Sequence, residues 1–96
     1  MIPREIIVAR IVFTSHLQRQ IDCPPRDVGG TTLHEALEEV FADNPKLRSY
    51  ILDDQQGVRQ HVMIFLDNEP ISDRIHLSDP VSDTSEIYVM QALSGG

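Results

Sequence analysis

Apolar and polar positions alternate at both ends of the chain and follow a helical period in between. Residues 6–14, Ile-Ile-Val-Ala-Arg-Ile-Val-Phe-Thr, are rich in β-branched and aromatic side chains and predict a strand. Ile7, Ala9, Ile11 and Phe13 form one face; Val8, Arg10, Val12 and Thr14 form the other, more polar one. A turn is expected at Ser15-His16, followed by a partner strand over residues 19–23 that Pro24-Pro25 closes. A proline pair removes ladder donors, which places that strand at a sheet edge. Gly29-Gly30 then breaks the chain before the clearest element. Thr32-Leu33-His34-Glu35 has the capping-box pattern. Leu33, Ala36, Leu37, Val40 and Phe41 follow at helical spacing, with Glu35, Glu38 and Glu39 largely off the stripe. Asn44-Pro45 ends this helix. Leu47, Tyr50, Ile51 and Leu52 predict a short helical piece covering a core edge.

The second half returns to strand signals. A turn at residues 53–57 leads to a strand over 58–66, with Val62, Ile64 and Leu66 on one face and Met63 and Phe65 on the other. Asp67-Asn68-Glu69-Pro70 predicts a tight turn, with a short return strand starting at Ile71-Ser72. Residues 73–85 read as a loop anchored by Ile75, Leu77 and Val81. The final strand spans 86–92, with Ile87 and Val89 facing one way and Tyr88 and Met90 the other. A hairpin, an amphipathic helix and further strands predict an α+β domain. Its mixed sheet has about five strands, with one main helix across one face and the first and last strands side by side in the middle. This is the β-grasp order of ubiquitin. One domain over residues 1–96 is expected, with residues 93–96 as a flexible tail on a rigid platform.

Composition narrows the function. The net charge is −7, and among eight basic residues Lys46 is the only lysine. Nucleic acid is an unsuitable partner for such a chain, because its phosphates call for basic patches. A basic protein surface suits it better. Cys23 is the one cysteine, so no internal disulfide is expected, and it reads as a small, partly buried apolar residue. No apolar run reaches membrane-spanning length, and residues 1–5 lack the layout of a signal peptide. The cytosol is the expected compartment.

The chain ends Leu93-Ser94-Gly95-Gly96. Without Cβ atoms, a diglycine can thread a narrow channel and present its carboxylate. With this ending, the chain resembles the ThiS/MoaD family of ubiquitin-like sulfur carriers over nearly its whole length. The run Val-Met-Ile-Phe-Leu-Asp-Asn-Glu at 62–69 is similar to the family's apolar strand and V-N-x-E turn, with Asp67 in place of Asn. Residues 86–96 are similar to the family's last strand and Gly-Gly ending, and the helix start at Thr32 also matches. Two positions depart: Asp83-Thr84-Ser85 replaces the usual Gly-Asp, and Gln91 replaces the proline before the tail.

The resemblance implies a carrier with no catalytic side chain of its own and no bound cofactor. An E1-like partner would adenylate the Gly96 carboxylate with ATP, and a sulfur donor would displace AMP to leave a thiocarboxylate. Leu93, Ser94 and Gly95 would thread the partner's channel. The sulfur would pass to an acceptor enzyme, such as the large subunit of molybdopterin synthase or a cysteine synthase. The free carrier is expected to be a monomer. The chemistry agrees: an α-carboxylate with a pKa of about 3.5 is ionised at neutral pH and is a poor acyl donor, so activation must come from elsewhere. Strand parity assigns docking to the sheet face away from the helix, through Met63, Phe65, Tyr88 and Met90. Methionine adapts to more than one partner.

Other classes find less support in the residues. His16, His34, His61 and His76 show no metal-ligand spacing, and His61 is expected to alternate on a strand. Asp53-Asp54 fits turn chemistry. A non-covalent β-grasp interaction module and a ubiquitin-like protein modifier remain alternatives, and adenylation comes first in both the carrier and the modifier.

Overall fold

A computed structural model describes residues 9–91. Eight elements follow in order: β1 (Ala9–Phe13), α1 (Ser15–Gln20), β2 (Arg26–Val28), α2 (Leu33–Asp43), α3 (Pro45–Ile51), β3 (Val62–Leu66), β4 (Glu69–Pro70) and β5 (Glu86–Gln91). The strands form one mixed sheet in the order β2-β1-β5-β3-β4. β1 and β5 run parallel; the other pairs are antiparallel. The expected β-grasp arrangement is present, with the first and last strands adjacent and β5 in the centre.

The core lies between the sheet and the helices. From the sheet come Ile11, Phe13, Val62, Ile64, Ile87 and Val89; from α2 come Leu33, Ala36, Leu37, Val40 and Phe41. These are the faces that the apolar alternation and the helical stripe mark out. Leu47 and Ile51 of α3 close one edge. Arg48 lies over the Phe41 ring, 4.9 Å from its centroid, and pairs with Glu38, which ties α3 to α2.

The start of α2 is capped on both sides. Thr32 Oγ1 accepts from the Glu35 backbone N–H at 3.2 Å, as the capping box requires. The Glu35 carboxylate reaches one residue further back than the motif predicts, accepting from the Thr31 N–H at 2.7 Å. Gly30, with φ +102°, allows this approach; a Cβ there would sit 2.7 Å from the Glu35 Cβ.

The structure corrects four local expectations. Residues 19–23 are not a strand: α1 occupies 15–20, and the partner of β1 is β2, beyond the prolines. Leu17 is buried from α1, while Ile21, its C-cap, is extended at φ −139° and is buried together with Cys23; their alternation is real, but β1 takes its partner from residues 26–28 instead. β2 is nevertheless an edge strand. The strand expected over 58–66 begins only at Val62. Val58 forms an isolated bridge with Leu52, and the Arg74 guanidinium donates to the carbonyls of Arg59 and Val62, holding a turn that includes His61. The return strand is Glu69–Pro70, not Ile71-Ser72. Asp67 and Asn68 both have positive φ, 52° and 70°, which makes a two-residue hairpin turn and brings pairing forward. Ile75, expected as an anchor, is 68% exposed.

Leu77 and Val81 do anchor the 73–85 segment, and both are buried. The Asp73 carboxylate organises the segment, accepting from the backbone N–H groups of Ile75, His76 and Ser78 and from the Ser78 hydroxyl. These donors hold its pKa at about 2, below the ordinary 3.8. With the carboxylate turning the chain back, Leu33 and His34 donate to the carbonyls of Asp79 and Leu77, and the segment docks on the start of α2.

Candidate functional site

The sheet has one covered face and one open one. Side chains alternate along each strand, and residues in register share a face. Met63 is opposite Met90, Phe65 is opposite both Tyr88 and Pro70, and Val12 pairs with Tyr88. The four residues expected at a docking face are therefore brought together on neighbouring strands. Met63 and Met90 are 40% and 39% exposed; Phe65 and Tyr88 are half-buried. Phe65, Asn68, Tyr88 and Met90 line a shallow hollow of about 320 Å³. The expected docking set omits Asn68 and Val12, although strand parity places Val12 on this face. Asn68 enters because the positive-φ turn folds back beside Phe65, and the Asp67-Asn68 pair is the signal that could have revealed it.

Polar groups fix the rim. The Tyr88 hydroxyl donates to Glu86 Oε2 at 3.1 Å, which raises the tyrosine pKa because the nearby carboxylate disfavours a phenolate. Asp67, standing where the family motif has Asn, accepts from the Glu86 N–H at 2.9 Å, and its own N–H donates to the Glu86 carbonyl. The hairpin turn is thus pinned to the start of β5. β5 runs from this rim across the hollow to Met90 and Gln91. Residues Leu93, Ser94, Gly95 and Gly96 lie outside the described residues.

The remaining candidate groups are dispersed. Cys23 is buried on a separate hollow of about 210 Å³ with Phe13, Asp22, Arg26, Val40 and Asn44 among its lining residues. Burial, and then the Asp22 charge, push its thiol pKa up, the reverse of what a nucleophilic cysteine needs. His16 lies in α1, while His34, His61 and His76 are exposed in separate elements. Among the described residues, no group of three or more His, Cys, Asp or Glu side chains is placed to hold a metal ion. Asp53 accepts from the N–H groups of Gln55 and Gly57, which is turn chemistry. No helix among the described residues is long and apolar enough to cross a membrane.

Known proteins match this geometry. SAMP1 from Haloferax volcanii superposes with a TM-score of 0.74 at 20% identity, covering 92% of this chain and 98% of that one. A chain of the Amycolatopsis orientalis BexX/CysO complex gives 0.76 at 14% identity, covering 92% and 99%. The small archaeal modifier protein 1 from Methanosarcina acetivorans gives 0.75 at 17% identity, covering 97% and 100%. At these identities the likeness establishes the ubiquitin-like fold. No curated protein matches the chain in sequence. The model of the ThiS family matches residues 19–96, from α1 through the terminal diglycine, and the chain therefore belongs to the ThiS family.

Proposed function

We propose that this protein is a sulfur carrier that works through the carboxylate of Gly96. An E1-like enzyme docks on the open sheet face, takes Leu93, Ser94 and Gly95 into a channel, and adenylates Gly96 with ATP. A sulfur nucleophile then attacks the carbonyl carbon and AMP leaves, giving the thiocarboxylate. That sulfur is donated in a biosynthetic pathway, with molybdopterin synthase or a cysteine synthase as the acceptor class. The chain supplies no catalytic side chain and binds no cofactor; ATP is consumed by the partner. The observation that carries this reading is that the ThiS family match runs through Gly95-Gly96, a few residues after a strand that presents an exposed apolar face.

The physical division of labour is plain. The ionised carboxylate is unreactive until the partner makes it an acyl donor, and the adenylate survives only where water is excluded. Gly95 and Gly96 let a narrow channel close around the backbone. The decisive experiment incubates the protein with its E1-like enzyme, ATP and a sulfur donor, followed by intact-protein mass spectrometry. Wild type is expected to gain the mass of one sulfur replacing one oxygen. Gly96→Val is expected to gain nothing while keeping the wild-type circular dichroism spectrum. Normal conversion of that variant would refute the role.

A protein-modifier reading is favoured by one finding, the structural match to proteins named small archaeal modifier protein 1. It shares the adenylation step and differs in the acceptor. Isopeptide conjugates of Gly96 on lysines of other proteins would favour it.

A further inference from the structure

The open face is chemically divided. The half nearest the end of β5 is apolar and contains Met63, Met90, Phe65 and Tyr88. The half at the start of β5 carries a row of charges across three strands, since Arg10 is in register with Asp27 on one side and Glu86 on the other. All three are exposed, and none forms an ion pair with another described residue. Asp67 adds a carboxylate at the same end, in the turn pinned to Glu86.

Glu86 is the oriented member of this row. Its Oε2 accepts from the Tyr88 hydroxyl, and its backbone is bonded to Asp67 in both directions. Its other carboxylate oxygen has no partner among the described residues. The group therefore stands on the border between the charged and apolar halves, beside the hollow, ready to accept another hydrogen bond. The chain's −7 charge extends the attraction to cations beyond contact range.

We infer that the partner on this face presents an arginine or lysine to Glu86 while seating an apolar side chain in the hollow of Phe65, Asn68, Tyr88 and Met90. Glu86 is then a specificity-determining residue. Apolar contact supplies affinity for any complementary apolar surface, whereas Glu86, with Asp67 at the same end, rejects an acidic surface and speeds encounter with a basic one. The inference rests on the docking reading above and deepens it by naming the partner's chemistry.

The test measures Kd between the full chain and its E1-like enzyme over a sodium chloride series. Wild type is compared with Glu86→Lys, Glu86→Gln and Glu86→Asp, each checked by thermal melting. The Glu86 side chain is exposed and its strand hydrogen bonds belong to the backbone, so all variants are expected to fold. At about 50 mM salt, Glu86→Lys should bind roughly tenfold more weakly, through slower association, and Glu86→Gln roughly threefold more weakly. At about 500 mM these differences should shrink to within about twofold, since screening then acts within a few ångströms. Glu86→Asp should stay near wild type. Wild-type binding by Glu86→Lys at low salt overturns the inference, and so does a loss that is equal at every salt concentration. If wild type itself binds at no salt concentration, the docking reading fails and this inference fails with it.

Discussion

Met63 and Met90 stand directly opposite each other on adjacent strands, and their exposure sets what a partner could gain from covering them. Fully burying a methionine side chain is worth about 1.5–3 kcal/mol. With 40% and 39% of each residue exposed, docking can add only that fraction. The gain is about 0.6–1.2 kcal/mol per residue, and about 1–2.5 kcal/mol for the pair if the two act independently. Replacing both with serine should therefore weaken binding to the E1-like enzyme roughly eight- to sixtyfold. The lost attraction is apolar, so the deficit should persist across a salt series, unlike that of a charge variant. The already buried part of each side chain contributes to folding, and its removal should lower stability by about 2–3.5 kcal/mol. The assay is isothermal titration with the partner, well below the melting temperature of the variant. A cooperative melt combined with a Kd within about twofold of wild type would show that this face is ordinary sheet surface.

Two further predictions concern the elements that support the face. Gly30→Ala should destabilise the fold by about 1–3 kcal/mol in urea, because φ is +102° and the new Cβ meets the Glu35 Cβ at 2.7 Å; an unchanged midpoint would show that the α2 cap tolerates a shift. Asp73→Ala should lower the melting temperature at neutral pH. The folded pKa of about 2 lies below the ordinary 3.8, so the carboxylate's contribution is present above 3.8 and is lost as pH falls through about 2. The gap between wild type and variant should narrow over that window, and a gap that stays constant would assign the effect to something other than the charge.

Much of this architecture is legible in the sequence where one periodicity dominates. The α2 stripe at Leu33, Ala36, Leu37, Val40 and Phe41 is unambiguous, and every member is buried. In β5, Ile87 and Val89 take the core while Tyr88 and Met90 take the open face, as strict alternation dictates. Residues 15–28 were less legible because two short patterns compete there. Leu17 is buried from α1, while Ile21 and Cys23 alternate like a strand and are both buried without pairing to β1; burial along a segment does not say which residues supply the strand partner. Turn chemistry limited the candidate site in the same way. Parity along single strands found Met63, Phe65, Tyr88 and Met90, but Asn68 and the Tyr88–Glu86–Asp67 chain of hydrogen bonds depend on how the hairpin turn meets β5. Alternation along a strand carries no information about that meeting.

The central position of β5 links recognition to chemistry under the proposed function. It is paired with β1 on one side and β3 on the other, with Tyr88 between Val12 and Phe65 and Met90 opposite Met63. A partner that grips these side chains therefore grips the middle of the fold and fixes the direction in which β5 ends. Gly96 is six residues beyond Met90 in the chain. Even fully extended, that length reaches only about 20 Å. The adenylating centre of the partner must then lie within about 20 Å of the surface that covers Met90. Its position is set by the docking contact itself, because a carboxylate displaced by a single residue, about 3.4 Å, misses the near-attack geometry of about 3–3.5 Å. Under the proposed function, affinity at the open face and reactivity at the terminus are for this reason one constraint, and the docking contact determines where the chemistry occurs.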